Sequence, residues 1–373
     1  MFVSEKTPGL DGSGLNTRGL ISRAETLETL RAYGIQELYI DTKKGKSSGY
    51  ASPVTVPKEA PAPKVALKEE KKRAAKVYGE ARSLMGNLIS NVKLGKPIEV
   101  GPVEDLAEEI SGSVLANANA LLCLSQIREK DKYLLEHSIN VGILMGVFAR
   151  YLGYKDDTLH QLVTGALLHD IGKIRVPDHI LNKQGKLSEA EWQEMQNHVL
   201  YGEETLLKSK GITDIAISIC AQHHEKLAGG GYPRNLKGEE ISTVGRIASI
   251  VDIYDAITAD RCYHNGKSPF STMQILVDLA KKDLDKSLVY QFVRCMGIYP
   301  IGTLVELQGN RLAVVEQSNI AKPDLPQVKV FFDLKQRRFL PEEMLDLADP
   351  KTDLSIVKAY APEDAGIKVK DVI

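Results

Sequence analysis

All eight histidines of this chain lie between residues 137 and 264, in a region whose apolar residues recur at helical spacing. Within that region, the stretch LLHDIGKIRVPDHIL at 167–181 places His169 beside Asp170 at the end of an apolar helix, with Lys173 one turn later. Burying an ionised group without partners is strongly unfavourable. This helix end is therefore either solvated or close to a compensating cation, and a metal ion would supply that compensation.

The overall composition is that of a globular protein of two or three domains, since it has 373 residues with 43% hydrophobic and 26% charged residues. The 48 basic and 49 acidic residues nearly cancel. This balance gives no indication of binding to a nucleic-acid polymer or to an anionic membrane surface, but it allows a nucleotide-sized ligand.

The N-terminal sequence MFVSEKTPGLDGSGLNTRG lacks the basic and then apolar pattern of a signal peptide, and the apolar stretch around VGILMGVFA is shorter than a membrane span. We therefore predict a cytoplasmic protein without membrane association. Four scattered cysteines form no CxxC pair and are predicted to be buried free thiols: Cys123, Cys220, Cys262 and Cys295.

The texture of the sequence changes several times along the chain. ISRAETLETLRAY at 21–33 has helical spacing and is followed by IQELYIDT, which alternates like a strand. A Ser-, Pro- and Lys-rich linker comes next, and then a charged helix begins near residue 65, whose KEEKKR cluster is predicted to form a solvated face. From about 103 to 296 the pattern is helical, and from about 298 alternating apolar runs with GN and LKQR turn signals predict a β-rich tail.

Two further motifs add metal-ligand chemistry to the helical region. QHHE supplies the adjacent pair His223 and His224. IASIVDIYDAITA places Asp252 among apolar residues, where a buried carboxylate needs a cation or several donors. Asp255, three residues later, is predicted to accept local hydrogen bonds and to lie outside the metal shell. A single histidine is more often structural than a ligand, so the joint pattern has to decide.

The motifs HDIGK, KLSEAEWQEMQNH, HHEKLAGGGYP and VDIYDAITADRCYH occur in unbroken order and together resemble the HD-GYP family. That family is a branch of the HD-domain metal-dependent phosphohydrolases and hydrolyses cyclic dinucleotides, principally cyclic di-GMP. The flanks are similar too. ETLETLRAYGIQELYIDTKKG resembles the end of a small domain found before bacterial HD-GYP modules, and GIYPIGTLVEL resembles the extension that follows them.

The resemblance and the residue patterns together imply a mainly α protein. An all-α HD-type helical domain would carry a small N-terminal α/β fragment and a short β-rich C-terminal extension. The predicted divisions are a helix–strand domain at 1–45, a flexible linker at 46–65, connecting helices at 66–124, the HD-GYP catalytic domain at 125–297 and the β-rich extension at 298–373.

The resemblance further implies two divalent metal ions bridged by Asp170. Nitrogen and oxygen ligands without a thiolate suit iron or manganese, with zinc as an alternative. His160 and His179 match no ligand position and are predicted to be structural. Apart from Asp170, the implied ligands are His137, His169 and Asp252 for one ion, and His198, His223 and His224 for the other.

Paired metals orient a phosphodiester and neutralise charge on its attacking and leaving oxygens. Lys173, on the same face as Asp170, is predicted to bind a phosphate oxygen in the transition state, which makes Asp170 and Lys173 the implied catalytic residues. From spacing alone, a solvated surface lysine is an equal alternative. The implied substrate-binding residues are Lys173, Gly231, Tyr232 and Pro233 of the GYP signature, and Arg261.

The sequence departs from the family pattern at three positions. Tyr133 replaces a glutamate that binds a third metal in some members, so a two-metal site is expected. Ala228 replaces an aspartate before the GYP loop. His264 stands where a basic residue usually helps to bind phosphate, and an unperturbed imidazole is mostly neutral at neutral pH.

Three functions follow from these observations. The first is a phosphodiesterase that opens cyclic di-GMP to linear pGpG, with continuation to GMP left open. The second is a phosphodiesterase for 3'3'-cyclic GMP–AMP, which the changes at Ala228 and His264 motivate. The third is a non-enzymatic cyclic-dinucleotide sensor or interaction module. The expected partners besides the substrate are signalling proteins of the diguanylate-cyclase type and a second copy of the chain in a homodimer.

Overall fold

A computed structural model describes residues 63–127, 133–259, 266–360, 366–367 and 369–373, together with two short antiparallel strands, β1 (Phe2–Val3) and β2 (Gly19–Leu20). The predicted helix at 21–33, the strand after it and nearly all of the linker lie outside these residues. The chain divides into two compact units, Met1–Val56 and Pro57–Ile373. The rest of the fold concerns the second unit.

Helices make up most of this unit, as predicted from the helical spacing. They are α1 (Leu67–Lys93), α2 (Val100–Leu124), α3 (Tyr133–Tyr151), α4 (Asp156–Leu168), α5 (Asp178–Leu181), α6 (Glu189–Gln196), α7 (His198–Leu207), α8 (Asp214–Gln222), α9 (Thr243–Thr258), α10 (Pro269–Leu279) and α11 (Lys286–Met296). Short 3₁₀ segments follow α4 at Ile171–Arg175 and α8 at Gly238–Glu240.

Helix α3 lies in the helical core, where all of its residues from 136 to 149 are buried. Ile139, Ile143 and Phe148 are fully buried, and the ring of Phe148 contacts that of Phe292 edge-on at 5.1 Å between centroids. Such pairs add to the free energy of burial.

The predicted solvated face of α1 is correct for most of its charged residues but wrong for Glu70. That side chain is buried and accepts a hydrogen bond of 2.6 Å from Ser113 on α2. Helix α2 bends at Asn117, whose φ and ψ are −160° and 99°. The Asn117 side-chain amide donates a hydrogen bond to the Val65 carbonyl oxygen, so the polar side chain at the bend is paired.

The predicted β-rich extension is a five-stranded antiparallel sheet. Its strands are β3 (Leu304–Leu307), β4 (Arg311–Gln317), β5 (Gln327–Asp333), β6 (Arg338–Asp346) and β7 (Ile356–Tyr360), in the order β6-β5-β4-β3-β7. The predicted GN turn is present, with Gly309 and Asn310 both at positive φ between β3 and β4. Alternate residues of the strands bury two apolar faces.

Two further sequence expectations concern the described residues. Cys123, Cys220 and Cys295 are buried free thiols, as predicted, and burial raises the pKa of Cys123 to about 12. Cys262 lies outside the described residues. Across the part of the chain that the structure describes, every helix is too short or too polar to cross a bilayer.

Candidate metal centre

The HDIGK motif forms the junction between α4 and the 3₁₀ segment Ile171–Arg175. Helix α4 ends at Leu168, so His169 and Asp170 occupy the turn that follows it. The Lys173 N–H donates to the Asp170 carbonyl at 2.9 Å, and three residues complete one turn of a 3₁₀ helix. The Lys173 amine therefore lies beside the Asp170 carboxylate and pairs with its Oδ2 atom.

Glycine permits this junction to lie directly against the start of α7. A Cβ atom on Gly172 would lie 1.9 Å from the His198 carbonyl oxygen and 2.3 Å from the Gly202 nitrogen. No side chain fits that gap, so glycine at 172 lets the two backbones touch. This contact brings His198 next to Asp170.

The structure brings all seven predicted ligand residues into one buried cluster. Ligand atoms of His137, His169 and Asp170 form one group that could hold a metal ion, and those of Asp170, His198, His223 and His224 form a second. Asp252 on α9 lies beside the first group, with its Oδ1 atom 3.1 Å from His137 Nε2.

The two oxygens of Asp170 face different histidines. Its Oδ2 atom lies 3.3 Å from His137 Nε2 and 3.4 Å from His169 Nε2. Its Oδ1 atom lies 3.3 Å from His198 Nε2 and 3.7 Å from His223 Nε2. One carboxylate thus stands between two sets of imidazoles, which is the arrangement that a bridging ligand requires.

The other ring nitrogen of four histidines is fixed by hydrogen bonding. The Nδ1 atoms of His169, His198 and His223 each lie within 2.8 Å of a backbone carbonyl oxygen, and Nδ1 of His137 lies 2.8 Å from Asp255 Oδ2. Because a carbonyl only accepts, the proton of a neutral ring is on Nδ1. The Nε2 lone pair is then directed into the cluster, as in metal-binding histidines.

Several polar atoms at the centre of the cluster have no hydrogen-bond partner. They are Nε2 of His169, His198 and His223 and Oδ1 of Asp170, each buried away from solvent. Buried polar atoms of a folded protein are nearly always paired. Four unpaired atoms that converge on two positions fit divalent cations, because such cations are bound by neutral imidazole and carboxylate.

The electrostatics of the cluster depend on the balance between burial and charge. Burial acts to raise the pKa of Asp170, but Lys173 and His169 outweigh it and hold that pKa well below its usual value. Burial likewise opposes ionisation of Asp252, but the neighbouring His137 and His169 imidazoles outweigh it and lower its pKa well below the usual value. Both carboxylates are therefore ionised and available to cations at neutral pH.

Three of the clustered histidines have pKa values shifted in different directions. Burial lowers the pKa of His223 and lowers that of His224 well below the usual value. Burial also acts to lower the pKa of His169, but the adjacent Asp170 carboxylate outweighs it and raises that pKa to about 9. His223 and His224 are thus neutral at neutral pH, and the charge of Asp170 is compensated in part by His169.

The GYP loop closes over one side of the cluster. A Cβ atom on Gly231 would lie 2.6 Å from the Glu225 Cα atom, so only glycine allows the loop to fold back on the chain that carries His224. The Tyr232 ring then lies 4.6 Å from the His224 ring, and its peptide bond to Pro233 is cis. Tyr232 therefore borders the cluster, with Gly231 and Pro233 on either side of it in the chain.

Glu225 has a role that sequence reasoning missed. Its carboxylate is buried and accepts hydrogen bonds from the backbone N–H groups of Arg234 and Leu236, at 2.7 and 2.9 Å. Arg234 is also held by two contacts with Glu203 on α7. The only signal in the sequence is position, because Glu225 lies between the histidine pair and a glycine-rich turn whose amides need acceptors.

Asp255 has a long-range partner that its sequence neighbourhood does not indicate. Its carboxylate pairs with His137, 118 residues earlier in the chain. Asp255 is fully buried, so it orients His137 from behind and lies outside the ligand groups. Spacing along α9 gave no indication of that partner.

The remaining predicted residues lie elsewhere or beyond the described positions. His160 and His179 are absent from the metal-ligand groups found among the described residues. Arg261 and His264 lie outside the described residues, and Tyr133 begins α3 without a described side chain. His160 borders a separate cavity of about 350 Å³ between α2 and α4, where the lining carboxylates of Glu104 and Glu108 are exposed.

Comparisons with known proteins agree with this geometry. Residues 122–288 match the HD domain family, and residues 1–103 match a domain of unknown function, DUF3391. The chain is 35% identical over 336 residues to cyclic di-GMP phosphodiesterase PA4108 of Pseudomonas aeruginosa, covering 88% of this chain and 81% of that protein. It is 36% identical over 171 residues to 3'3'-cGAMP-specific phosphodiesterase 3 of Vibrio cholerae, covering 46% of this chain and 37% of that protein.

A solved structure shows the same fold. Bd1817, an HDG"Y"P protein from Bdellovibrio bacteriovorus, aligns with a TM-score of 0.51 at 19% identity, over 74% of this chain and 82% of its own. The Pseudomonas relative is matched over most of both chains, and the HD and GYP motifs border one buried cluster. The chain therefore belongs to the HD-GYP family.

Proposed function

We propose that this protein is a metal-dependent phosphodiesterase that opens cyclic di-GMP to linear pGpG. The observation that carries the proposal is Asp170, whose two oxygens face two separate sets of histidine Nε2 atoms. A carboxylate in that position is suited to bridge two cations. The similarity to a Pseudomonas cyclic di-GMP phosphodiesterase over 81% of that relative supports the choice of substrate.

The proposed ligands are the seven residues of the cluster. His137, His169 and Asp252 would hold one divalent ion, His198, His223 and His224 the other, and Asp170 both. Iron or manganese suits this set, with zinc as the alternative, because it contains imidazole and carboxylate but no thiolate. When bound, the pair supplies positive charge for a phosphodiester and for the water that attacks it.

The chain's own side chains would bind and orient the substrate. Lys173 reaches the edge of the cluster with 16% of its side chain exposed and pairs there with Asp170. Once cations share that carboxylate, the ammonium is available to bind a phosphate oxygen and to stabilise charge in the transition state. Gly231, Tyr232 and Pro233 would shape the pocket. Arg261 stays a prediction from the sequence for a phosphate or a guanine edge.

The second candidate substrate is 3'3'-cyclic GMP–AMP. The similarity to a Vibrio phosphodiesterase named for that substrate supports it, although the match covers only 37% of that relative. A sensor without activity is less favoured because all seven residues of the cluster are present and converge. Action in the cytoplasm, cyclase-type partners and a homodimer stay predictions.

Product analysis would test this function. We expect protein purified without oxygen and reconstituted with iron or manganese to linearise cyclic di-GMP, and chromatography would separate pGpG from GMP. Turnover of cyclic GMP–AMP at matched concentration gives the order of preference. His160→Gln is the matched control, since it removes an imidazole outside the cluster. A metal-loaded wild type that is inert toward both dinucleotides would exclude the function.

A further inference from the structure

The single tryptophan of the chain lies beside the metal centre on a surface where a large apolar side chain is unusual. Trp192 belongs to α6 and exposes 46% of its surface. Tryptophan is among the residues most enriched where a protein binds its ligands, because its ring buries a large area. Nothing in the roles assigned above explains why this indole faces solvent.

Local structure fixes the position of Trp192. Helix α6 begins with a capping box, in which Ser188 accepts from the Glu191 N–H and the Glu191 carboxylate accepts from the Ser188 N–H. Glu191 also accepts from Lys183 at 2.8 Å. A helix start held by these bonds presents the indole from a defined backbone, so its location is a property of the fold.

A row of aromatic rings leads from the metal centre to Trp192. The His224 and Tyr232 ring centroids lie 4.6 Å apart, and those of Tyr232 and Trp192 lie 5.9 Å apart. Trp192 is therefore one ring further along this row from His224 than the GYP tyrosine is. In a dinucleotide whose phosphate lay at the cations, the base would be one ribose away from that phosphate. The base would therefore lie further from the cations than the phosphate does, in the direction of Trp192.

The contact with Tyr232 leaves part of the indole available. The two ring planes meet at 83°, so the contact is edge to face. Such a contact covers at most one face of the indole, and the 46% exposure of the side chain is consistent with an open second face. Nucleobases stack on exposed aromatic faces of this kind, with Trp, Tyr and Phe as the usual partners.

We propose that Trp192 is a nucleobase-stacking residue that sets the affinity of this site for a purine dinucleotide. The inference rests on the proposed function, because it takes the phosphodiester at the cations as its starting point. Stacking acts on the bound substrate and the transition state alike, so it lowers KM without changing kcat. Trp192 is thus a binding residue and not a catalytic one.

The indole itself provides the first test. Because the chain has one tryptophan, emission excited selectively from tryptophan reports on Trp192 alone. Rapid mixing of the metal-loaded enzyme with cyclic di-GMP should quench this emission before turnover begins, with the quench half-complete at a concentration close to the KM. Inorganic phosphate at the same concentrations should leave it unchanged. A dinucleotide that is hydrolysed without any change in emission would overturn the stacking role.

Steady-state kinetics provides the second test. Trp192→Ala should raise KM for cyclic di-GMP about tenfold, the effect of one lost base stack, with kcat within about twofold of wild type. Trp192→Phe should recover most of the affinity, whereas Trp192→Leu should not. Tyr290→Ala, which removes an aromatic ring 40% exposed on α11, is the control and should leave KM unchanged. An unchanged KM in Trp192→Ala, or a fall confined to kcat, would exclude the proposal.

These tests separate the stacking role from the proposed function. If the wild type quenches on mixing with the dinucleotide but releases no product, the phosphodiesterase function fails and the stacking role stands. If product forms and Trp192→Ala has the wild-type KM, the function stands and the stacking role fails.

Discussion

Two buried carboxylates, Asp170 in the helical region and Glu316 in the sheet, differ in how completely they are paired. Their residues are 1% and 5% exposed. Glu316 pairs with Lys71 on α1 at 2.9 Å and with Lys329 on β5 at 3.0 Å. Asp170 pairs with Lys173 through one oxygen, while the other has no hydrogen-bond partner and faces imidazole nitrogens that also lack one.

The difference separates a polar site that stabilises the fold from one that is built for a ligand. At Glu316 the side chains of Lys71 and Lys329 compensate the charge of the carboxylate. That site therefore connects α1 to the sheet and needs no bound cation. At Asp170 the compensation is incomplete, and incomplete pairing of buried polar atoms costs free energy. We propose that metal ions, once bound, would complete the pairing of these atoms and offset that cost.

The largest effect should come from Asp170→Asn. The change keeps the shape of the side chain but removes the charge that two cations would share, so activity should fall by about a thousandfold or more.

Manganese should raise the thermal midpoint of the wild type, because a ligand at a hundred times its Kd adds about 2.7 kcal/mol. It should not raise the midpoint of the variant. Glu316→Gln should keep wild-type activity; a metal-stabilised Asp170→Asn would contradict the comparison.

Gly172→Ala should be the next most severe change. Its Cβ atom would lie 1.9 Å from the His198 carbonyl oxygen, a backbone atom that cannot move without displacing His198 from the cluster. We expect a loss of about 3 kcal/mol or more in the free energy of unfolding, together with reduced metal binding. Denaturant unfolding and metal content would measure both.

The matched control for that change is Gly79→Ala on α1. A Cβ atom there meets nothing within 4 Å, so the substitution should stabilise the helix by about 0.5 to 1 kcal/mol. Equal effects of the two substitutions would show that the close approach at Gly172 does not position the site.

Glu225→Gln should loosen the GYP loop. The buried carboxylate accepts from two backbone N–H groups, and an amide can offer only one oxygen while its own N–H₂ opposes the other donor. We expect a loss of about 2 to 3 kcal/mol in the free energy of unfolding and a rise in KM, because Tyr232 follows the loop. Glu239→Gln nearby is the control, since its side chain is 98% exposed. A Glu225→Gln enzyme with wild-type stability and KM would remove Glu225 from this role.

Glu316→Gln should have the smallest effect, and that effect should depend on pH. Burial acts to raise the pKa of Glu316, but Lys71 and Lys329 outweigh it and lower the pKa below the ordinary 4.5. The ionised carboxylate therefore stabilises the protein fully above pH 4.5, and this contribution is lost as the pH falls through the lowered value.

Thermal unfolding of wild type and variant across this range would measure that dependence. At neutral pH we expect a difference of about 1 to 2 kcal/mol, kept modest because the Lys71 side chain is 32% exposed. The difference should shrink below pH 4.5. A difference that grows on acidification would contradict the assigned pairing.

Much of the site was accessible from the sequence because its chemistry lies in short motifs. HDIGK places two ligand types side by side at a helix end, and QHHE adds an adjacent pair, so the seven convergent residues could be named from local patterns and the family resemblance. The β-rich tail was equally clear, since period-two alternation and the GN turn are local signals.

The residues that position the cluster could not be predicted from the sequence, because their contacts are long-range. Asp255 pairs with a histidine 118 residues away, and nothing near it in the sequence indicates that partner. Glu225 and Gly172 act through the backbone of other segments, which only the packed structure brings close. No proline or glycine stands next to Asn117 in the sequence to indicate the bend of α2 there.

Metal stoichiometry tests the bridging role of Asp170 most directly. Protein purified without oxygen, loaded with manganese or iron and freed of excess ion should contain two divalent ions per chain. Glu316→Gln should retain both, and Asp170→Asn should lose both together because the two ions share that carboxylate. Fewer than one ion per wild-type chain, or an Asp170→Asn protein that still holds two, would contradict a shared two-metal centre.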